Sequence, residues 1–226
     1  MDLSIRFLFK NSTLFFDQKT IRIWKDQWDL APEIIKSRLK SRFGLNFTLP
    51  ARVCKVKRIT KLVSDDFLNL NHLQKSTGAK LKYGLFLPNK YFRLLKNDFQ
   101  FIDNEEEILV AVMTFSAAKK YYFGTEIVNS FELVRYGTLP YFNIVGGFSK
   151  LMRFFVNEKK PGNIMTYVDA DWSDGQNFLK MGFKFIESTG PVFYKMGNNN
   201  ERIPVAKADD FDVYNSGSLK FIKNGF

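Results

Sequence analysis

The sequence predicts a mixed α+β fold, and three observations carry that expectation. Segments of alternating apolar and polar residues recur along the chain as candidate strands. In the second half they alternate with segments of helical period, and no internal repeat organises them. One junction is sharper than the rest: a strand ending at Val145 passes through Gly146-Gly147 into a basic helix from Ser149. Such a turn leaves backbone N–H groups uncovered at the positive end of the helix dipole, which suits a phosphate.

The elements follow in order. Residues 3–9 and 13–23 alternate imperfectly and read as short strands. Pro32 suits the first turn of a helix with Ile34, Ile35, Leu39 and Phe43 on its apolar side. Lys36, Arg38, Lys40 and Arg42 take much of the remainder, and Gly44 is its stop. Residues 53–59 read as a half-buried strand. Ser64-Asp65-Asp66 predicts a helix start, with Phe67, Leu70 and Leu73 on the buried side. Residues 80–87 and 108–115 read as strands, and the segment between them ends in a polar turn at 103–107.

Residues 131–136 read as a strand that Pro140 breaks. The helix from Ser149 shows Lys150 and Arg153 to water, buries Leu151, Phe154 and Phe155, and ends at Pro161-Gly162. A strand at 163–167 precedes a short helix capped by Ser173 and closed by Gly182. Strands at 183–186 and 192–196 lead to a loop at 197–200. The patterned piece at 211–222 reads as a docked strand or turn.

Composition bounds the chemistry. A chain of 226 residues is one large domain, or one with an extension. Its 25 phenylalanines supply an aromatic-rich core, with exposed stacking platforms as the alternative. Cys54 and His72 are the sole cysteine and histidine, which excludes an intrachain disulfide and a Cys/His zinc site. No signal-peptide pattern occurs, and the longest apolar run, 108–115, is too short to span a bilayer. A soluble, cytoplasmic protein with no membrane partner is expected; the oligomeric state stays open. The net charge of +11 is uneven: residues 1–63 hold 14 Lys/Arg against 5 Asp/Glu, the remainder 20 against 18. A clustered basic surface attracts nucleic acid or another polyanion; a solvated face without a partner is the alternative.

From about residue 52 to 196 the order of elements resembles the GNAT (Gcn5-related N-acetyltransferase) superfamily. Residues Ile108 to Phe115 look like its central hairpin strand, Val145-Gly146-Gly147-Phe148-Ser149-Lys150-Leu151 like its pyrophosphate loop and helix, and Phe178-Leu179-Lys180-Met181-Gly182-Phe183 like its late helix. A narrower resemblance is to GNAT-like domains of phage and mobile-element proteins that often follow a nuclease-like segment. It rests on Asn71-His72-Leu73-Gln74, on Glu132-Leu133-Val134-Arg135-Tyr136, on the same glycine loop and on Thr166-Tyr167-Val168-Asp169-Ala170-Asp171-Trp172-Ser173. Residues 23–28 and 33–38 look like the junction after such a nuclease, but residues 1–22 are too short to be one, so nuclease activity is not expected.

The sequence also departs from the family. Asn143 and Phe148 stand at the first and last positions of the usual Gln/Arg-x-x-Gly-x-Gly/Ala loop. Phe178 stands where a tyrosine often serves as general acid, and a phenyl ring cannot give a proton to a thiolate. Ala170 and Asp171 replace the paired arginines of the phage-type run.

The resemblance implies a GNAT-like acyl-CoA N-acyltransferase fold, a mixed and mostly antiparallel sheet with helices on both faces. It implies a basic N-terminal extension over 1–50, a GNAT-like domain over 51–197 and a tail over 198–226 docked on it. Acetyl-CoA or another acyl-CoA is the implied cofactor, held by Val145, Gly146, Gly147, Phe148, Ser149 and Lys150. The amine acceptor is unassigned, with a nucleic-acid link through the basic quarter as one expectation. A catalytically degenerate nucleic-acid-binding accessory protein is the alternative.

Four residues are candidate catalysts. Glu132 is a general base or an ion-pair partner of Arg135. His72 is a proton-transfer group or a hydrogen-bonded helix-end histidine. Asp169 lines the acceptor site, whereas Asp171 and Asp174 are read as helix-cap carboxylates. Tyr194 is a substitute proton donor or core packing. Asn71, Gln74, Trp172 and Ser173 are candidate substrate contacts.

Overall fold

The computed structural model describes residues 4–12, 20–95, 105–123, 125–198, 201–206 and 210–225. Residues 13–19 of the second expected strand, 103–104 of the polar turn and 199–200 of the late loop lie outside them. In chain order the elements are β1 (Ser4–Leu8), β2 (Thr20–Trp24), α1 (Lys25–Leu30), α2 (Pro32–Arg42), β3 (Phe47–Pro50), β4 (Lys55–Arg58), α3 (Lys61–Asn71), β5 (Leu81–Pro88), β6 (Glu107–Phe115), β7 (Lys119–Phe123) and β8 (Glu126–Thr138). There follow β9 (Phe142–Val145), α4 (Gly147–Lys159), β10 (Asn163–Asp169), α5 (Gln176–Lys180), β11 (Lys184–Ser188), β12 (Val192–Met196), β13 (Arg202–Val205), β14 (Val213–Asn215) and β15 (Ser218–Asn224). Two 3-10 turns, Ala51–Val53 and Asn89–Leu94, precede β4 and follow β5. The fold is α+β, and its sheets are mostly antiparallel, with β1–β2 and β3–β9 as parallel pairs.

The chain forms two compact units. One joins Met1–Pro32 to Met165–Asn224, and the other is built on Glu33–Ile164. The second holds an antiparallel sheet in the order β4-β5-β6-β8, with β7 also on β8. Its central strand β6 is buried from Val110 through Phe115, which explains a near-continuous apolar run instead of an alternating one. Helices cover both faces. From α4, Phe155 stacks on Phe115 at 3.6 Å and meets Phe131 edge-on at 5.1 Å. From α3, Phe67 and Leu68 pack on Val112 with Ile59, Leu109 and Leu139 around them.

One irregularity decides which side chains share a face. Thr114 pairs with Arg135 but Phe115 with Leu133, so Val134 is the extra residue of a bulge. Before the bulge Phe131 turns to α4. After it Gly137 turns to α3, where Leu68 and His72 lie over it. Alternation across the bulge then puts Glu132 and Arg135 on the α3 face together.

In the first unit the strand order is β11-β15-β10, beside an antiparallel β13-β12-β14 sheet and the β1–β2 pair. Leu8, Trp24, Val213 and Tyr214 form its core, with Trp24 edge-on to Tyr214 at 5.1 Å. The patterned piece at 211–222 contributes both β14 and β15 to this unit.

Several local expectations change. Helix α3 starts at Lys61, a turn before Ser64, because Thr60 caps it by accepting the Val63 N–H at 3.3 Å. Its buried side is Ser64, Phe67 and Leu68, while Leu70 is 75% exposed. In the same way Phe43, beyond the end of α2, is 57% exposed, and Ile35 is the buried anchor of that helix. Phe154 is likewise partly exposed, its ring lying edge-on to Tyr83 at 5.7 Å. The cap of α5 is Gly175 in the left-handed region; Ser173 and Asp174 instead accept the N–H groups of Gly175 and Gln176, at 3.1 Å each.

Candidate functional site

The glycine turn is built by two strands and a tyrosine. β9 pairs in parallel with β3, Leu49 opposite Ile144 and Pro50 opposite Val145, and delivers an exposed Val145 to the turn. Gly146 has φ 78°, ψ 2°, a left-handed conformation that a Cβ disfavours. Gly147 is required for a different reason. A Cβ there would lie 2.8 Å from Ile144 Cγ2 and 2.9 Å from the Tyr136 hydroxyl. The first turn of α4 closes with the Lys150 N–H donating to the Gly146 carbonyl at 2.9 Å. The N–H groups of Gly147, Phe148 and Ser149 precede that bond and point out of the helix start.

One of these three is committed. The Phe148 N–H donates to the Tyr136 hydroxyl, whose own pKa burial pushes well above its ordinary value. The Phe148 ring also meets Tyr136 edge-on at 5.2 Å. Phe148 is therefore turned inward by both amide and ring, which leaves Gly147 and Ser149 amides at the mouth of the turn. Lys150 does not stand over the loop: its ammonium donates to the carbonyls of Ala51 at 3.0 Å and Cys54 at 2.5 Å, tying α4 to the 3-10 turn. Burial pushes the Cys54 thiol up to about 11, so it is no nucleophile at neutral pH. Tyr136 was visible only as part of a resemblance motif; its hydroxyl's place under the loop has no local sequence signal. Tyr136→Phe is expected to cost about 1–2 kcal/mol by stripping the acceptor from a buried N–H. Denaturant unfolding checks this, and unchanged stability would contradict the assignment.

A second feature lies between α2, the end of α3 and the end of β8. A cavity of about 180 Å³ is lined there by Ser37, Arg38, Asn71, His72, Gly137 and Thr138, among others. His72 closes α3, its N–H donating to the Leu68 carbonyl at 2.9 Å. Its Nδ1 accepts the Gln74 backbone N–H at 3.2 Å, so the neutral ring carries its proton on Nε2. Burial, then the charges of Arg38 and Arg135, pull the His72 pKa down to about 3. At neutral pH the imidazole is a donor through Nε2, and its other nitrogen is taken. Asn71 shares the cavity and sends its Nδ2 to the Phe67 carbonyl at 2.8 Å. Gln74 acts through its backbone, fixing the His72 tautomer.

Glu132 is on the α3 face of β8. Its backbone exchanges bonds with Ser116, donating to Oγ and accepting the N–H, both at 2.9 Å. Among the described residues its carboxylate makes no hydrogen bond or ion pair. The alternative of an ion pair with Arg135 is not formed: Arg135 donates to the carbonyls of Lys75 at 3.3 Å and Val134 at 2.9 Å.

The remaining candidates lie in the first unit, where Asp169 and Tyr194 belong to one polar cluster. Asp169 accepts the Asp171 N–H at 3.0 Å and the Asn215 Nδ2 at 3.2 Å. Asp171 is 1% exposed and accepts from Asn215 Nδ2 at 3.1 Å and the Ser216 N–H at 3.2 Å. The buried Arg22 faces it at 4.0 Å. Burial, then the charge of Asp169, raises Asp171 to about 6; Arg22, at that distance, offsets only part. Burial raises Tyr194 as well, with Arg202 opposing and both aspartates adding. Arg202 pairs with Asp26 at 2.7 Å and lies over the Tyr194 ring. Trp172 is buried core, and Ser173 holds the turn into α5. Phe178 stacks on Phe221 at 5.8 Å and meets Phe183 at 5.3 Å. These contacts give the group a structural part, joining β2, β10, β12 and β14.

No helix among the described residues is long and apolar enough to cross a membrane. No protein-family profile matches the chain, and no curated protein does. Solved structures do. The NatC complex bound to Gag peptide and CoA is 10% identical with a TM-score of 0.44, over 76% of this chain and 99% of that one. NAA60 of Arabidopsis thaliana in complex with acetyl-CoA is 11% identical with a TM-score of 0.44, over 76% and 98%. The ribosomal-protein-S18-alanine N-acetyltransferase of Escherichia coli is 8% identical with a TM-score of 0.42, over 76% and 93%.

Proposed function

We propose that the chain is a GNAT-type N-acyltransferase that takes acetyl-CoA or a related thioester and transfers its acyl group to an amine. The observation that carries this reading is the Gly146-Gly147 turn: a left-handed glycine, then a glycine seated against Ile144 and Tyr136, opening a long helix. The amides of Gly147 and Ser149, with the helix dipole behind them, suit a pyrophosphate. Phe148 and Lys150 hold the loop's shape through Tyr136 and the 3-10 turn. When bound, the thioester supplies the activated acyl carbon. Glu132 is the proposed base that takes the proton of the attacking amine, being the carboxylate on its strand face with no partner among the described residues. His72 supplies an N–H donor on the same face, its Nδ1 being occupied. Glu132→Gln is expected to lower kcat roughly 100-fold or more with acetyl-CoA affinity unchanged; a kcat within about threefold of wild type would remove Glu132 from this role.

The rival reading is a nucleic-acid-binding accessory of a mobile element that has lost its catalyst. Phe178 favours it, being packed between Phe183 and Phe221 with no proton to give. Its charge argument weakens on folding, because Lys10, Arg22, Lys57, Arg58 and Lys61 each pair with a carboxylate from beyond residue 63. A gel-shift titration decides between the two. The rival requires DNA or RNA binding that falls steeply with salt.

A further inference from the structure

We propose that the ribbon formed by β7 and the start of β8 docks single-stranded nucleic acid, with Tyr121 and Tyr122 as stacking platforms for bases and Lys119 and Lys120 as phosphate contacts. The inference goes beyond acyl transfer and does not rest on it.

The ribbon has an open edge. β5 ends its pairing with β6 where Leu81 meets Phe115, and the Lys80 N–H closes that end by donating to the Phe115 carbonyl at 2.8 Å. Beyond it, among the described residues, β7 pairs with β8 alone. The partners are Lys119 with Ser130, Lys120 with Asn129, Tyr121 with Val128 and Tyr122 with Ile127. Alternation puts Lys119 and Tyr121 on one face, Lys120 and Tyr122 on the other. Val128 anchors the first face, since a Cβ on Gly162 would lie 2.2 Å from it, and the Gly162 N–H donates to the Asn129 carbonyl at 2.9 Å.

The side chains of β7 are left to solvent. Tyr121 is 50% exposed, Tyr122 71%, and Ile127 opposite Tyr122 56%. Lys119 and Lys120 are exposed and make no ion pair among the described residues. Residues 116–130 contain one acid, Glu126, at the far end of the ribbon opposite Phe123.

Charge and ring together select the occupant. A second copy paired along β7 would set Lys119 and Lys120 against their like, and edge lysines oppose such pairing. An acidic peptide would meet the lysines and leave two exposed rings unmatched. A duplex keeps its base faces stacked inside, whereas a single strand offers bases to aromatic rings and phosphates to lysines. A lysine and a tyrosine two residues apart are separated by about 6.8 Å, twice the rise per nucleotide of a stacked strand.

The full chain is titrated, by fluorescence anisotropy, against labelled oligothymidylate and oligouridylate of about twelve nucleotides, and against a duplex of the same length. Saturable binding of the single strands is expected, tighter than of the duplex, with a shallow salt slope of about −1.4 for two neutralised phosphates. Tyr121→Thr and Tyr122→Thr keep a strand-favouring side chain, and each is expected to weaken binding about fivefold or more. Tyr122→Phe should bind as wild type, because stacking needs the ring and not the hydroxyl. The double variant Lys119→Gln, Lys120→Gln should flatten the salt slope. Equal binding of both oligomers assigns their shared chemistry, and preference for one assigns DNA or RNA. These side chains are exposed, so every variant should melt within a few degrees of wild type and keep its acetyl-CoA melting shift. No saturable binding at roughly 100 μM protein, duplex preference, or unchanged affinity in both threonine variants overturns the proposal. Polyglutamate that competes as well as the single strands would assign the ribbon to an acidic polypeptide. A dimer that Tyr122→Thr disperses would assign it to a second copy, and either result also overturns the proposal.

Discussion

Acetyl-CoA at about a hundredfold excess over its Kd is expected to raise the melting temperature by about 5–10 °C, and Ser149→Glu to abolish that rise. The size follows from linkage: such an excess stabilises by about 2.7 kcal/mol, and a chain of this length shifts roughly 2–4 °C per kcal/mol. Ser149 is exposed in the first turn of α4, where a new carboxylate favours the helix dipole by about 0.3–1 kcal/mol. The ligand-free variant should therefore melt at or slightly above wild type while its charge repels the pyrophosphate. Opposite effects on fold and on binding are what separate a phosphate cradle from a structural turn. Gly147→Glu should also abolish the shift, but with a large loss of stability, because its Cβ would lie 2.8 Å from Ile144 Cγ2. An undiminished shift in Ser149→Glu would place the cofactor elsewhere.

Arg22→Met is expected to destabilise the protein by about 3–5 kcal/mol at pH 7.5 and by much less at pH 5. At the higher pH the variant leaves the buried Asp171 carboxylate without the guanidinium that faces it at 4.0 Å. At the lower pH Asp171, whose folded pKa is about 6 against an ordinary 3.8, is mostly protonated and needs no cation. The folded state of the wild type thus holds the proton over that window. The stability that Asp171 contributes is full below its unfolded pKa and is lost as pH rises through its folded one, a change on the order of 3 kcal/mol. Without Arg22 the folded pKa rises further, so the decline extends above pH 6. The difference between variant and wild type isolates this group from the other carboxylates. Denaturant titrations at the two pH values measure it, and equal losses at both would show that Asp171 does not sense Arg22.

Much of this was legible in the sequence, and the reasons differ by element. The turn at Gly146-Gly147 was readable because adjacent glycines, which tolerate left-handed backbone and close approach, mark a tight turn between an apolar strand and a basic amphipathic helix. Strands β5, β6, β8 and β10 were readable because their burial follows local pattern. The β3–β9 pairing was not: Phe47-Thr48-Leu49-Pro50 is short, and its partner lies far along the chain. Asp171 reads as a helix-cap carboxylate because Arg22, which gives it a buried role, lies far back along the chain. The basic quarter read as a surface for polyanions because the carboxylates that pair with it come from elsewhere in the sequence. Likewise the face shared by Glu132 and Arg135 depends on a bulge at Val134 that no residue type announces. In each case the missing information is a long-range contact, which local propensity does not encode.

The most direct measurement is an acetyl-CoA titration followed at the backbone amides of residues 145–150 by NMR. The expected result is saturable, downfield movement of the Gly147 and Ser149 amides, with Phe148, held by the Tyr136 hydroxyl, moving least. Saturable binding that leaves both of those amides unmoved, or no binding at millimolar acetyl-CoA, would contradict an acyl-CoA site at this turn.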